Sequence, residues 1–347
     1  MTLVSDPTAP RIAIVGATGA VGSTLVELFE ERGLRYRELH LVASARSAGR
    51  ELCVQGRYYT VRHLEDFDFS GVDLAFFSAG TAVSERWVPA ATAAGALVID
   101  NTRAFRMDPA VPLVVPQVNA GTLDRRPAGG VIANPNCSTI PLVRLLQGVE
   151  RRWGVRRVVV STYQAASGLG HSGIEELQEA TALALQDPDA EPLSKQFTPS
   201  LAFNVLPAID EVLGSGFTRE EEKLLHESRK ILDLPELEVT ATCVRVPVVN
   251  GHAESVWVEC AAEVDRAELV EVLAALPEVT VHDATLPGAF PTPAGLEDPD
   301  RVHVGRVRVS QSDPRGFWLW LVADNLRVGA ALNAVQIAEE LVARGTW

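Results

Sequence analysis

Apolar residues in the first third of the chain fall into short runs separated by helical stripes. Arg11-Ile-Ala-Ile-Val15 has strand length and ends at a glycine-rich turn, Gly16-Ala-Thr-Gly-Ala-Val-Gly22. Val21, Leu25, Leu28 and Phe29 then recur at helical spacing, and Gly33 closes the stripe. Further apolar runs at 39–43, 72–77 and 96–99, with a helical stretch over 84–94, predict a parallel, doubly wound sheet. Each run ends in small or polar residues, where such sheets bind ligands.

The pattern changes after residue 134. Asn134-Pro-Asn-Cys-Ser-Thr-Ile140 leads from a polar turn into a helical stripe of Leu142, Leu146, Val149 and Trp153. Pro141 is compatible with that helix only within its first turn. Residues 157–162 read as a strand running into Tyr163-Gln164-Ala-Ala-Ser167-Gly168, and Thr218-Arg-Glu220-Glu221 is a capping box that opens a helix to Leu232. Segments 240–248 and 254–261 alternate as strands around Asn250-Gly251, a hairpin-turn dipeptide. Two more strands are expected at 302–309 and 317–322, giving an α+β domain on a largely antiparallel sheet. Ala331, Ala334, Val335, Ala338, Leu341 and Val342 form a last helical stripe, expected to return to the first domain as cover for its open sheet. The expected domains are 1–135 with 326–347, and 136–325. The proline-rich piece 286–293 reads as an exposed loop or an arm that contacts a partner.

Composition narrows the functional classes. The chain has 347 residues, 47% hydrophobic and 22% charged, as a two-domain globular protein would. A net charge of −14 argues against nucleic-acid and anionic-membrane partners, so an anionic substrate needs a local basic cluster. The four cysteines lie far apart, with no C-x-x-C and no histidine pair at ligand spacing; no metal is expected, and a reducing cytoplasm is. Residues 1–10 lack the features of a signal peptide, and no apolar stretch reaches membrane-spanning length.

The candidate chemistry follows from three places. Gly16, Gly19 and Gly22 permit a tight turn, close approach of backbone to a pyrophosphate, and helix–strand packing, in the strand–turn–helix context this requires. Where an NAD enzyme places an acidic residue after its second strand, this chain has Ser44-Ala-Arg46-Ser47-Ala-Gly-Arg50, which suits a 2′-phosphate and hence NADP; a solvated basic loop is the alternative. Cys137 stands at a helix start, where unpaired N–H groups and the helix dipole favour the thiolate, although a buried structural cysteine fits the same pattern. From spacing alone, Arg103, Arg106 and the Glu220/Lys223 pair read as surface charges. A nucleotide cofactor, a nucleophilic cysteine and a histidine together suggest acyl transfer coupled to hydride transfer, through a thioester.

The spaced blocks also resemble a known family. The glycine turn, the 43–49 segment, Asn134–Ile140, Ser161-Thr-Tyr-Gln-Ala-Ala-Ser-Gly168, Arg245-Val-Pro-Val248 with Gly251-His252, and Asp324-Asn325 are similar, in order, to those of bacterial aspartate-semialdehyde dehydrogenases. The resemblance implies a two-domain fold, a Rossmann-like NADP domain and an α+β catalytic and dimerisation domain, assembled as a homodimer or homotetramer. It implies NADPH-dependent conversion of L-aspartyl-4-phosphate to L-aspartate 4-semialdehyde with release of phosphate, the second step towards lysine (through diaminopimelate), threonine, methionine and isoleucine. Carried over by motif, Cys137 is the nucleophile and His252 the acid/base. Arg245 takes the substrate carboxylate, Gln164 orients the substrate, and Glu220 faces its amino group. Arg106, Asn136 and Lys223 hold phosphate, while Gly16, Thr18, Gly19, Ala20, Val21, Arg46, Ser47, Ser167, Gly168 and Asn325 contact NADP. Arg103, Pro141 and Ala253 depart from the family pattern, where Ser, Gln and Ser are usual. The rival readings are an N-acetyl-γ-glutamyl-phosphate reductase and a catalytically silent NADP-binding paralogue.

Overall fold

The protein was analysed as a computed structural model that describes residues 9–187, 189–282 and 288–347. The chain forms two compact units, residues 1–136 with 330–347, and residues 137–329.

The first unit begins with β1 (Arg11–Val15), α1 (Ala20–Glu31) and β2 (Glu38–Ala43). A small antiparallel pair, β3 (Glu51–Val54) and β4 (Arg57–Thr60), precedes β5 (Arg62–His63), β6 (Leu74–Phe77), α2 (Thr81–Ala93), β7 (Leu97–Asp100), the single turn α3 (Pro116–Asn119) and β8 (Val131–Ala133). The main sheet runs β5-β2-β1-β6-β7-β8 with every neighbouring pair parallel. All of β6, β7 and β8 is buried, as is β1 apart from Arg11, which explains why these strands read as continuous apolar runs instead of alternating ones. The order reverses at β1, between β2 and β6, so the glycine turn lies at the switch point where such sheets bind ligands.

The second unit opens with α4 (Thr139–Trp153), then β9 (Val155–Gln164), α5 (His171–Gln186), α6 (Arg219–Leu232), β10 (Glu238–Arg245), β11 (His252–Cys260), α7 (Arg266–Ala274), β12 (Val279–Val281), β13 (Val302–Val309) and β14 (Gly316–Ala323). Its sheet runs β10-β9-β11-β14-β13-β12. It is mixed: the three central pairings are antiparallel, and β10–β9 and β12–β13 are parallel. The hairpin expected at Asn250-Gly251 does not form. Strand β9 lies between β10 and β11, because residues 246–249 pair with 164–167 and carry the chain past the end of β9. The Asn250 side chain is engaged elsewhere, donating to Asp324 Oδ2 at 2.7 Å and accepting from Ser167 Oγ at 2.9 Å. The local preference of Asn-Gly for a two-residue turn is outweighed by these longer-range partners.

Helices α4 and α6 pack together, α4 against β9 and β14, and α6 against β10. The opposite sheet face presents Val159, Tyr163, Trp257, Trp318 and Trp320; Trp257 and Trp318 have ring centroids 4.0 Å apart, and Tyr163 and Trp320 5.4 Å. The proline-rich piece lies partly outside the described residues. Within them Phe290 is exposed but Pro291 is buried, its carbonyl accepting from Trp320 Nε1 at 2.9 Å. The chain then re-enters the first unit, where α8 (Leu332–Arg344) packs on α1 and α3. Among the described residues no helix is long and apolar enough to cross a membrane.

Candidate active site

Ser138 is the N-cap residue of α4, so Cys137 stands immediately ahead of the helix, half-buried. Pro141 falls in the first turn, where its missing N–H interrupts no helical bond. Gly329 backs onto the thiol residue: a Cβ there would lie 2.8 Å from Cys137 Cβ and 3.0 Å from its Cα.

A chain of polar side chains reaches from this helix start across the sheet. Gln164, at the end of β9, donates from Nε2 to Ser138 Oγ at 2.7 Å and to Glu220 Oε1 at 3.1 Å. Lys223 donates to Glu220 Oε2 at 2.8 Å and to Asp210 Oδ2 at 2.9 Å. The capping box places these groups: Thr218 and Glu221 satisfy each other's backbone N–H and start α6 with Glu220 turned inward. Glu220 is only 6% exposed and Lys223 is half-buried, so the pair that the spacing predicts at the surface turns its carboxylate inward. Burial opposes the charge on Lys223, but Glu220 and Asp210 outweigh it and hold the ammonium above its ordinary pKa.

Arg245, at the end of β10 beside Gln164 in the register, donates from Nη1 to Ala165 O at 2.6 Å. Its backbone is fixed by paired bonds to Leu206, and Gly168 leaves room for its guanidinium, which a Cβ would meet at 2.6 Å. Burial lowers its pKa against the charges of Glu220, Cys137 and Cys243, but it stays a cation. His252, first residue of β11, is 1% exposed. The Ala165 N–H donates to its Nδ1 at 3.1 Å, so the ring proton sits on Nε2, which has no hydrogen-bond partner among the described residues. Burial and then the charge of Arg245 push its pKa down to about 3, against the pull of Glu220. The second unit thus gathers Cys137, Gln164, Glu220, Lys223, Arg245 and a neutral His252. Ser167, Asn250, Asp324 and Asn325 form a neighbouring polar cluster, in which Asn325 also accepts from the Gly251 N–H at 2.9 Å and steadies the entry to β11.

The first unit carries the remaining predicted residues. Gly16 has φ +90°, and a Cβ on Gly22 would collide with the Gly16 carbonyl. Helix α1 starts at Ala20 with no side-chain cap and no acidic residue in its first turn, leaving N–H groups suited to an anion. Thr18 Oγ1 donates to Ser47 Oγ at 3.0 Å, tying the turn to the 44–50 loop; Ser47 is buried and Arg46 exposed. The turn therefore fits a dinucleotide phosphate: a cradle that any larger residue would fill, beside an uncapped helix start. Arg106, expected at the surface, is buried. Asp100 accepts from Ser84 and Thr102 and shapes the loop that follows, in which Arg106 Nη2 donates to Asn101 O at 2.9 Å. Asn136 immediately precedes the thiol in the chain.

Comparison with known proteins converges on one assignment. Residues 11–126 match the profile of the semialdehyde dehydrogenase NAD binding domain, and 146–328 that of the semialdehyde dehydrogenase dimerisation domain. The chain is 46% identical over 336 residues to the aspartate-semialdehyde dehydrogenase of Aquifex aeolicus, covering 96% of this chain and 98% of that protein. The chain belongs to the aspartate-semialdehyde dehydrogenase family. It is an oxidoreductase with an NAD(P)-binding domain. A second family member, from Bacillus subtilis, is 42% identical over 95% of this chain and 97% of its own length. Aspartate semialdehyde dehydrogenase II of Vibrio cholerae, crystallised as a complex with ASA, has the same fold at TM-score 0.93 and 43% identity, covering 97% and 99% of the two chains.

Within this family fold, several residues beyond the motif assignments shape the site. Ser138 and Asp210 anchor the two ends of the hydrogen-bonded chain, and Gly329 makes room for the thiol backbone. Ser138 adjoins the thiol in sequence; Asp210 and Gly329 carry no local signal.

Proposed function

We propose that this enzyme reduces L-aspartyl-4-phosphate to L-aspartate 4-semialdehyde with NADPH, releasing phosphate, through an acyl-thioester on Cys137. The observation that carries the reading is one buried carboxylate, Glu220, hydrogen-bonded to Gln164, and one buried guanidinium, Arg245, beside Gln164 in the strand register, next to the start of the thiol helix. A substrate with a free amino group and a free carboxylate needs one of each. An N-acetylated substrate has no ammonium to meet Glu220, which disfavours the acetyl-glutamyl alternative.

In this reading Arg245 grips the substrate carboxylate, Glu220 its ammonium, and Gln164 fixes the acyl carbon over Cys137. Arg106, Asn136 and Lys223 take the phosphate. The thiolate is favoured by the α4 N-terminus and by Arg245. It attacks the acyl carbon, the C–O bond to phosphate breaks, and phosphate leaves with the electron pair. His252 Nδ1 is taken by the Ala165 N–H, so His252 works from Nε2–H as a donor to the acyl oxygen as negative charge develops. This favours the acid half of the acid/base role. When bound, the nicotinamide supplies the hydride that reduces the thioester.

Gly16, Thr18, Gly19, Ala20 and Val21 are assigned to the NADP pyrophosphate, and Arg46 and Ser47 to the 2′-phosphate. Ser167, Gly168 and Asn325 complete the NADP set. The first unit is assigned as the cofactor domain and the second as the catalytic and dimerisation domain. A homodimer or homotetramer with the aromatic sheet face as a subunit contact, in the cytoplasm and serving the aspartate-derived amino acids, completes the proposal. The test is NADP⁺ reduction by L-aspartate 4-semialdehyde with and without inorganic phosphate, run beside NAD⁺ and the acetylated five-carbon semialdehyde. Phosphate-dependent NADPH formation with the first substrate is expected; activity with only the acetylated one would reassign the enzyme.

A further inference from the structure

The sheet face that carries His252 holds a second ionisable group that the mechanism does not use. Glu254 lies two residues along β11 and so points to the same side. It is 0% exposed, and neither carboxyl oxygen has a hydrogen-bond partner among the described residues. In the register it faces Thr162 on β9 and Leu321 on β14, and Thr162 in turn faces Cys243 on β10. This row sits directly behind Arg245, Gln164 and His252. Among the described residues no cation pairs with it. On α6, Glu220, Glu221 and Glu227 are buried, with Lys223 committed to Glu220 and Asp210. On α4, Arg144 pairs with Glu278, and Arg245 is already shared with Ala165 O and the charge of Glu220.

We propose that Glu254 is held as a neutral carboxylic acid, so that the row behind the catalytic face carries no negative charge. The proposal rests on the role given above to His252. An ionised carboxyl one row behind His252 and Arg245 would draw protons onto the imidazole, weaken the grip on an anionic substrate and disfavour the Cys137 thiolate. Burial raises the Glu254 pKa well above the ordinary glutamate value, in line with this arrangement. The linkage has a definite sign. With the folded-state value raised, the native state holds a proton that the unfolded chain has lost, so stability is full below the ordinary glutamate range and declines as pH rises towards the folded value.

The test compares wild type with Glu254→Gln, which keeps the shape of the neutral acid. At neutral pH the variant should retain kcat/KM within about threefold of wild type. On the alkaline side wild type should lose about tenfold per pH unit beyond the ionisation, a limb the variant lacks. In urea melts the variant should gain on wild type as pH rises. Infrared difference spectra should show a protonated-carboxyl band in wild type at neutral pH that vanishes in the variant and, in wild type, at high pH. Wild type alone supplies this last readout if the variant does not fold. A well-folded variant that loses more than about a hundredfold at neutral pH, or a wild type without the band, overturns the proposal. If the semialdehyde proves not to be the substrate, the infrared and urea results still decide the state of Glu254, so the two failures stay separate.

Discussion

The glycine turn of the first unit and the thiol site of the second are built from different materials. The turn is made of backbone, within seven consecutive residues, and its shape depends on side chains that are missing: Gly22 abuts the Gly16 carbonyl, and Gly16 abuts Ser78. The thiol site is made of side chains from separated segments, and its shape depends on polar groups satisfying one another, Ser138 to Gln164 to Glu220 to Lys223 to Asp210. A backbone site fails by steric intrusion, with fold and binding damaged together. A side-chain network can lose one chemical function and keep the fold. The difference separates cofactor binding from chemistry in what mutation should do.

The sharpest separation is Cys137→Ala. Turnover should fall by more than about 10⁴-fold while NADPH affinity, read by fluorescence titration, stays unchanged. Gly22→Ala should do the reverse: the added methyl should cost about 1–3 kcal/mol in thermal melts and weaken NADP binding. Equal loss of stability in both variants would break the contrast. Gly329→Ala tests a mixed case, since its Cβ would meet Cys137 Cβ and Cα. It should lower kcat without changing cofactor affinity. Arg245→Lys should raise KM for the semialdehyde by about tenfold or more, because a point charge cannot reproduce a bidentate fork, with a smaller change in kcat.

A further test concerns pH and leaves neutral conditions untouched. His252, held neutral with a pKa near 3, contributes stability above the ordinary histidine range that is lost as pH falls from there towards 3. Acid denaturation of wild type should therefore be steeper in this window than that of His252→Asn. Matching curves would mean that the imidazole is not held neutral.

The same contrast governs what could be read from the sequence. The glycine turn, the uncapped start of α1 and the capping box of α6 are local, so residue spacing reveals them. Glu220 and Lys223 at i, i+3 show only that they neighbour each other on a helix; that α6 packs this edge inward against β10 is tertiary. Arg106 is misjudged for the same reason, because its burial depends on the loop that Asp100 holds after β7. Asn250-Gly251 misleads in the other direction. It has the chemistry of a tight turn, but its asparagine is bound by Ser167 and Asp324, and β9 occupies the place of the expected partner strand. Family resemblance supplied Glu220 and Lys223 as site residues where spacing alone did not. Nothing local marks Gly329 or Asp210, whose roles exist only once distant segments meet.

The proposed chemistry has Cys137 carry the acyl group as a thioester that phosphate releases. Its most direct test is a rapid-mixing experiment with NADP⁺ and L-aspartate 4-semialdehyde in phosphate-free buffer. A burst of about one NADPH per active chain followed by a stall is expected, with an acyl adduct on Cys137 by intact mass and resumed turnover when phosphate is added. Continuous turnover without phosphate, or a burst that persists in Cys137→Ala, would contradict it.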